Sequence, residues 1–147
     1  RPDSPLFFFD GYLGAEGEGW TGDYYLTGDT VERDEDGTIS FVGRSDDVIT
    51  SSGYRIGPFD VESCLLEHDA VAESAVVGIP DEERGEIVKA FVVLHSGHAG
   101  DEALAEELKQ YVRNRLAKHA FPRQVAFVES LPKTPSGKIQ RFMLRKQ

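Results

Sequence analysis

AESAVVGIPDEERGEIVKAFVVL, residues 72–94, decides the fold. Two β-branched runs, AESAVVGI and EIVKAFVVL, flank the loop PDEERG, and within each run apolar side chains fall on successive positions. A strand exposed on one face alternates apolar with polar residues, whereas one apolar at consecutive positions is covered on both faces. The pair is therefore expected to form the centre of a sheet with a layer packed on each side.

The flanking sequence supplies those layers. Upstream, Pro58 suits the first turn of a helix, Asp60 and Glu62 sit near the positive end of its dipole, and Val61, Cys64, Leu65 and His68 trace one face. The spacing predicts a helix over 58–68. Downstream, Asp101 can cap a longer helix with Leu104, Leu108, Tyr111, Val112 and Leu116 at three- and four-residue spacing, ending before Pro122. QVAFVES is a further strand, and RFMLRKQ suffices for a final helical turn. Further upstream, VERDEDGTISFVGR and VITSSGYRI read as two hairpins around glycine-bearing turns. RPDSPLFFFDGYLGAEGEGW, at the start, is broken by glycine and proline and holds no periodic element. The class is α+β: a small unit of hairpins and a short mixed sheet flanked by helices, from residue 46 to 147, behind a β-rich segment, 1–45.

The chain has 147 residues, 39% hydrophobic and 10% aromatic, enough for one or two compact units. Its net charge of −10 argues against a surface for nucleic acid. That total hides a division. From Leu108 onward ten Lys and Arg face one acid, Glu129, so the anion-seeking part is C-terminal. No apolar run approaches the roughly 20 residues that span a bilayer, and no basic-then-apolar leader opens the chain, so a soluble cytoplasmic protein is expected. Cys64, the single cysteine, falls on the apolar face of the first helix and is expected to be buried packing.

Three stretches could carry chemistry. YLTGDT, residues 25–30, places Asp29 after a glycine in a turn, where a carboxylate can accept both hydrogen bonds of a sugar diol or simply close an Asx turn. GRSDDVITSSGYRIGPFDVE, residues 43–62, holds Arg44 and Arg55, fixed donors for phosphate or carboxylate, and a Ser51-Ser52-Gly53 turn whose backbone could approach a ligand. Asp46 and Asp47 stand where the two parts meet and could be linker residues. LPKTPSGKIQR, residues 131–141, sets Lys138 on a Pro/Gly loop. It is no P-loop, since it lacks the earlier glycine of GxxxxGK and Ile139 stands in place of the Ser/Thr after the lysine. Alone it could be a surface lysine; a flexible ammonium can also follow charge shifting onto a phosphoryl group. His95 and His98 lack a companion at ligand spacing, and no metal is assigned to this chain.

Taken in order, YLTGDT, DEDGTISFVGRSDDVITSSGYRIGPFDVE and LPKTPSGKIQR resemble the C-terminal signature of the AMP-forming adenylating enzymes: acyl-CoA synthetases, peptide-synthetase adenylation domains and luciferases. The resemblance runs from Tyr24 to Arg145 and is nearest to short- and medium-chain acyl-CoA synthetases. It implies an acid–thiol ligase that makes acyl-AMP from a carboxylic (fatty) acid and Mg-ATP, then passes the acyl group to CoA. By position, Asp29 resembles the aspartate on the ribose hydroxyls, Arg44 and Arg55 resemble nucleotide- or phosphate-facing arginines, and Asp46 the hinge of the mobile domain. Ser52 and Gly53 resemble the turn along the pantetheine path, and Lys138 the lysine engaging carboxylate and α-phosphate during adenylation. Thr50 departs from the lysine or asparagine common at its position.

On this resemblance residues 1–45 would be the end of the large adenylating domain and 46–147 the mobile lid. The phosphate loop, acyl pocket and Mg-binding glutamate would lie upstream of Arg1, and the chain alone would not turn over. Two alternatives stay open: an adenylation domain that loads a carrier-protein thiol, and a non-catalytic nucleotide-binding or interaction module.

Overall fold

The computed structural model describes residues 19–22 and 24–146. Most of the opening stretch read as lacking periodic structure lies outside these residues. The chain divides into two compact units between Ser45 and Asp46.

In the first unit β1 (Trp20–Thr21) pairs with β2 (Tyr24–Tyr25), and β3 (Asp29–Arg33) pairs antiparallel with β4 (Ile39–Arg44). The β1–β2 ribbon was not foreseen; two-residue strands are too short to show a period. The expected DEDG turn joins β3 to β4: Asp34 N–H donates to the Thr38 carbonyl at 2.9 Å, and Thr38 N–H to an Asp36 carboxylate oxygen at 2.8 Å.

The second unit is one five-stranded mixed sheet with helices on it. β5 (Ile49–Ser51) and β6 (Tyr54–Ile56) form the second hairpin, α1 (Pro58–Leu66) follows, and β7 (Val71–Asp81) and β8 (Gly85–Leu94) form the long central pair. After α2 (Glu102–Arg115), β9 (Gln124–Phe127) returns parallel to β8, and α3 (Arg141–Leu144) ends the described chain. The strand order is β6-β5-β8-β7, with β9 also on β8.

The central pair is buried as its composition requires. Along β7, Val76 enters one core while Ala75 and Val77 enter the other; along β8, Val88, Ala90 and Val92 face the first core and Phe91 the second. Period-two alternation thus serves two apolar layers. The first core also takes Val61 and Leu65 from α1 and Leu108 and Val112 from α2, and the second is closed by Leu131 and Leu144. Fully burying one such aliphatic side chain is worth about 1.5–3 kcal/mol, so both cores hold the sheet. Cys64 is buried and unpaired, and burial, helped by Glu67, pushes its thiol pKa up.

Two boundaries differ from expectation. Strand β7 continues through Pro80–Asp81, leaving only Glu82–Arg84 as the turn, because the Asp81 carboxylate accepts the amides of Glu83 and Arg84 at 3.1 and 2.9 Å. Helix α1 stops at Leu66, before His68: the His68 Nδ1 accepts the Ala70 amide at 3.2 Å and turns the chain into β7. Asp101 caps α2 as foreseen, accepting the Leu104 amide at 2.9 Å. No helix among the described residues is long and apolar enough to cross a membrane.

Candidate functional site

Lys138 rides on a loop that satisfies its own backbone. Thr134 N–H donates to the Lys138 carbonyl at 2.8 Å, Lys138 N–H to the Thr134 hydroxyl at 3.0 Å, and Gln140 N–H to the Pro132 carbonyl at 2.9 Å. Lys133 and Ile139 pair as an antiparallel bridge at the neck. The Lys138 side chain is exposed, and none of the ion pairs among the described residues involves it, whereas neighbouring Lys133 is held by Glu73 at 2.6 Å. A closed loop thus presents one ammonium.

Ser52 and Gly53 form the two-residue turn between β5 and β6. Both have positive φ, +50° and +82°, the combination that matches hairpin twist and that glycine adopts without strain. Ser52 N–H donates to the Arg84 carbonyl at 2.9 Å, fixing the turn on the β7–β8 connection. Arg55, on β6, borders a cavity of about 600 Å³ lined also by Ile56, Phe59, Cys64, Arg115 and Leu116. Beside it, Tyr54 and His119 stack with ring centroids 4.0 Å apart.

In the first unit Asp29 and Arg44 face each other as paired residues of β3 and β4. An Asp29 carboxylate oxygen lies 3.6 Å from Arg44 Nη1, which also donates to the Thr27 carbonyl at 2.7 Å. Gly28 lets the guanidinium come this close: its φ is +75°, and a Cβ there would stand 3.0 Å from Arg44 Nη2. An acceptor-only carboxylate and a planar cation are thus held side by side, an arrangement suited to a hydroxylated, phosphorylated ligand.

The most constrained polar group is one that sequence reading missed. Arg141 Nη2 donates to both carboxylate oxygens of Glu62, at 2.9 and 2.8 Å, and Nη1 donates to Asp47 at 3.2 Å. Arg145 Nη2 donates to the other Asp47 oxygen at 2.6 Å and to the Asp46 carbonyl at 3.0 Å. Glu62 also accepts the Val76 amide at 2.8 Å and is 7% exposed. Burial pushes its carboxyl pKa up, while Arg141 and the Val76 amide pull it down. Glu62 therefore does more than face a helix dipole, and Asp47 is no plain linker residue. Partners 79 and 94 residues apart leave no local signal.

The structure brings Asp29 to Arg44, gathers Ser52, Gly53 and Arg55 on one hairpin, and joins Asp46 to Arg145. Lys138 stands on a different element. The family model for the C-terminal domain of AMP-binding enzymes matches residues 60–138. The chain belongs to that family.

Relatives of this AMP-binding C-terminal domain are acyl-CoA synthetases. The human acyl-coenzyme A synthetase ACSM5, mitochondrial, is 53% identical over 154 residues, a match covering 100% of this chain and 26% of that protein. The crystal structure of Brucella canis acyl-CoA synthetase is 64% identical, with a TM-score of 0.69 over 97% of this chain and 26% of its own. A benzoate CoA ligase from Burkholderia xenovorans LB400 is 48% identical, with a TM-score of 0.73 over 84% of this chain and 24% of its own. The chain thus spans about a quarter of the length of the relatives it matches.

The α+β architecture is the one expected from the resemblance, and so is the family. The cytoplasmic expectation is overturned: ACSM5 is a mitochondrial enzyme by name. That expectation rested on seeing no leader, and a sequence matching a quarter of its relatives' length does not report on leaders. Lys138 is the last residue of the family match, while Asp29, Arg44, Ser52, Gly53 and Arg55 precede its start.

Proposed function

We propose that this chain serves as the C-terminal part of an AMP-forming acyl-CoA synthetase, with residues 46–147 acting as a lid that turns about Asp46. The reaction has two steps. A carboxylate oxygen attacks the α-phosphorus of ATP, forming the acyl–phosphate bond and expelling pyrophosphate. The CoA thiol, giving up its proton, then attacks the acyl carbon, and AMP leaves with the bonding electrons.

Lys138 is the residue for the first step. Its ammonium engages the incoming carboxylate and an α-phosphate oxygen, bringing two anions together and opposing charge as it builds on phosphorus. Unit charges about 4 Å apart at an effective dielectric near 20 interact by roughly 4 kcal/mol, about a thousandfold in rate if realised only in the transition state. The second step needs the thiol where the lysine stood, so the lysine must leave. A lid permits both occupancies in turn.

Asp29 holds the ribose hydroxyls, Arg44 and Arg55 face the nucleotide, and Ser52 and Gly53 line the path of the pantetheine arm. Mg²⁺ enters with ATP as the substrate complex. Among the described residues there is no cluster of three or more His, Cys, Asp or Glu to hold a metal.

The observation that carries the reading is Lys138: an exposed ammonium outside every described ion pair, on a closed loop, within the residues matched to AMP-binding enzymes. The test supplies the full-length protein with Mg-ATP, a carboxylic acid and CoA. AMP, pyrophosphate and acyl-CoA in equal amounts are expected. ADP and phosphate as products would overturn the reading, and so would nucleotide binding with no acid-dependent turnover.

A further inference from the structure

We infer that Arg141, Glu62, Asp47 and Arg145 form a strut that positions the Lys138 loop on the segment following Asp46, so that Lys138 moves with the lid as one rigid body. The inference rests on the adenylation role of Lys138 proposed above.

Three segments distant in sequence meet at the strut. Arg141 opens α3, three residues after Lys138; Glu62 lies on α1; Asp47 and the Asp46 carbonyl belong to the first residues of the second unit. Every nitrogen of the Arg141 guanidinium is engaged, Nε and Nη2 by Glu62 and Nη1 by Asp47. A planar fork held along two edges has one orientation, which an ammonium cannot reproduce. Arg145 takes the remaining Asp47 oxygen, so the hinge-proximal carboxylate is clamped between two residues of the C-terminal segment.

The loop needs such an anchor. Its internal hydrogen bonds fix its shape, the partly exposed Lys133–Glu73 pair ties only its neck to β7, and α3 is only four residues long. Leu131, Ile139 and Leu144 seat it in the second core, but apolar contacts set an angle loosely, whereas a charge-assisted fork sets it closely. For a reacting group, displacement of about 1 Å can cost about a hundredfold in rate. A buried ionic cluster is poor evidence of stability, since apolar residues of similar size often do as well. Orientation explains it better.

The test is a double-mutant cycle in the full-length protein. Adenylation is read as acid-dependent ATP–pyrophosphate exchange, and thioester formation from supplied acyl-AMP and CoA. Arg141→Ala should lower adenylation about 10- to 100-fold in kcat, with KM for ATP and acid and the thioester rate changing less than about threefold. On a Lys138→Ala background the same change should lower residual adenylation less than about threefold, because a residue acting through Lys138 has nothing left to position. Arg141→Lys and Glu62→Gln, which keep a charge or the Val76 acceptor, should show smaller losses of the same pattern and carry the test if Arg141→Ala does not fold. Equal loss on both backgrounds, or equal loss in both half-reactions, would overturn the strut. If Lys138→Ala cripples adenylation while the Arg141 and Glu62 variants are unaffected, only the strut falls. If Lys138→Ala leaves adenylation intact, the Lys138 reading falls and the strut with it.

Discussion

Arg141 and Glu62, 79 residues apart, share a bidentate ion pair in which one guanidinium nitrogen reaches both carboxylate oxygens, at 2.9 and 2.8 Å. Glu62→Ala would leave the guanidinium short of its main partner and the Val76 amide without an acceptor inside the fold. The expected loss is about 3 kcal/mol, against about 1–2 kcal/mol for Glu62→Gln, which retains an amide oxygen. Urea unfolding followed by far-ultraviolet circular dichroism measures both. Equal costs would mean that the Glu62 charge is irrelevant to the pair.

The same carboxyl sets a pH dependence. Burial raises its pKa above the usual value near 4.5, so in a window above 4.5 the folded chain retains a proton that the unfolded chain has released. Stability from this group is therefore complete below the unfolded value and is lost as pH rises through the folded one. Relative to Glu62→Gln, the parent chain should lose protection at the Val76 amide as pH rises above the unfolded value near 4.5. Hydrogen exchange reads this directly, and a difference growing in the opposite sense would reverse the sign assigned to Glu62.

Gly53→Ala tests the turn. With φ at +82° and nothing within 4 Å of a built Cβ, the cost is backbone strain alone, about 1 kcal/mol. If the turn lines the path of the pantetheine arm, KM for CoA should rise while pyrophosphate exchange is unchanged. Loss of exchange with CoA kinetics intact would remove Ser52 and Gly53 from that path.

Asp29→Ala separates ligand binding from folding. The Asp29–Arg44 pair is 3.6 Å long and partly exposed, so its contribution to stability is under about 1 kcal/mol. If Asp29 holds the ribose hydroxyls, KM for ATP in the full-length protein should nevertheless rise about tenfold or more, two charge-assisted hydrogen bonds being lost. An unchanged KM would take Asp29 off the ribose.

Much of this was legible beforehand, for physical reasons. The consecutive apolar residues of 72–94 report double-sided burial, Asp101 reports a helix start, and the Ser52-Gly53 pair reports a turn with positive φ, all from local rules. The ends of β7 and α1 were missed because side-chain to backbone bonds of Asp81 and His68 settle them, overriding pattern. The strut was invisible because nothing in SGKIQR or DVES reveals that their charges meet. The Asp29–Arg44 contact lay in between: each residue was singled out alone, and their pairing follows from the register of one hairpin.

The role of Lys138 is tested most directly by splitting the two half-reactions in the full-length protein carrying Lys138→Ala. Acid-dependent pyrophosphate exchange should fall about 10²- to 10⁴-fold while thioester formation from supplied acyl-AMP and CoA persists near the parent rate. Equal loss in both half-reactions, or full exchange activity without the lysine, would contradict it.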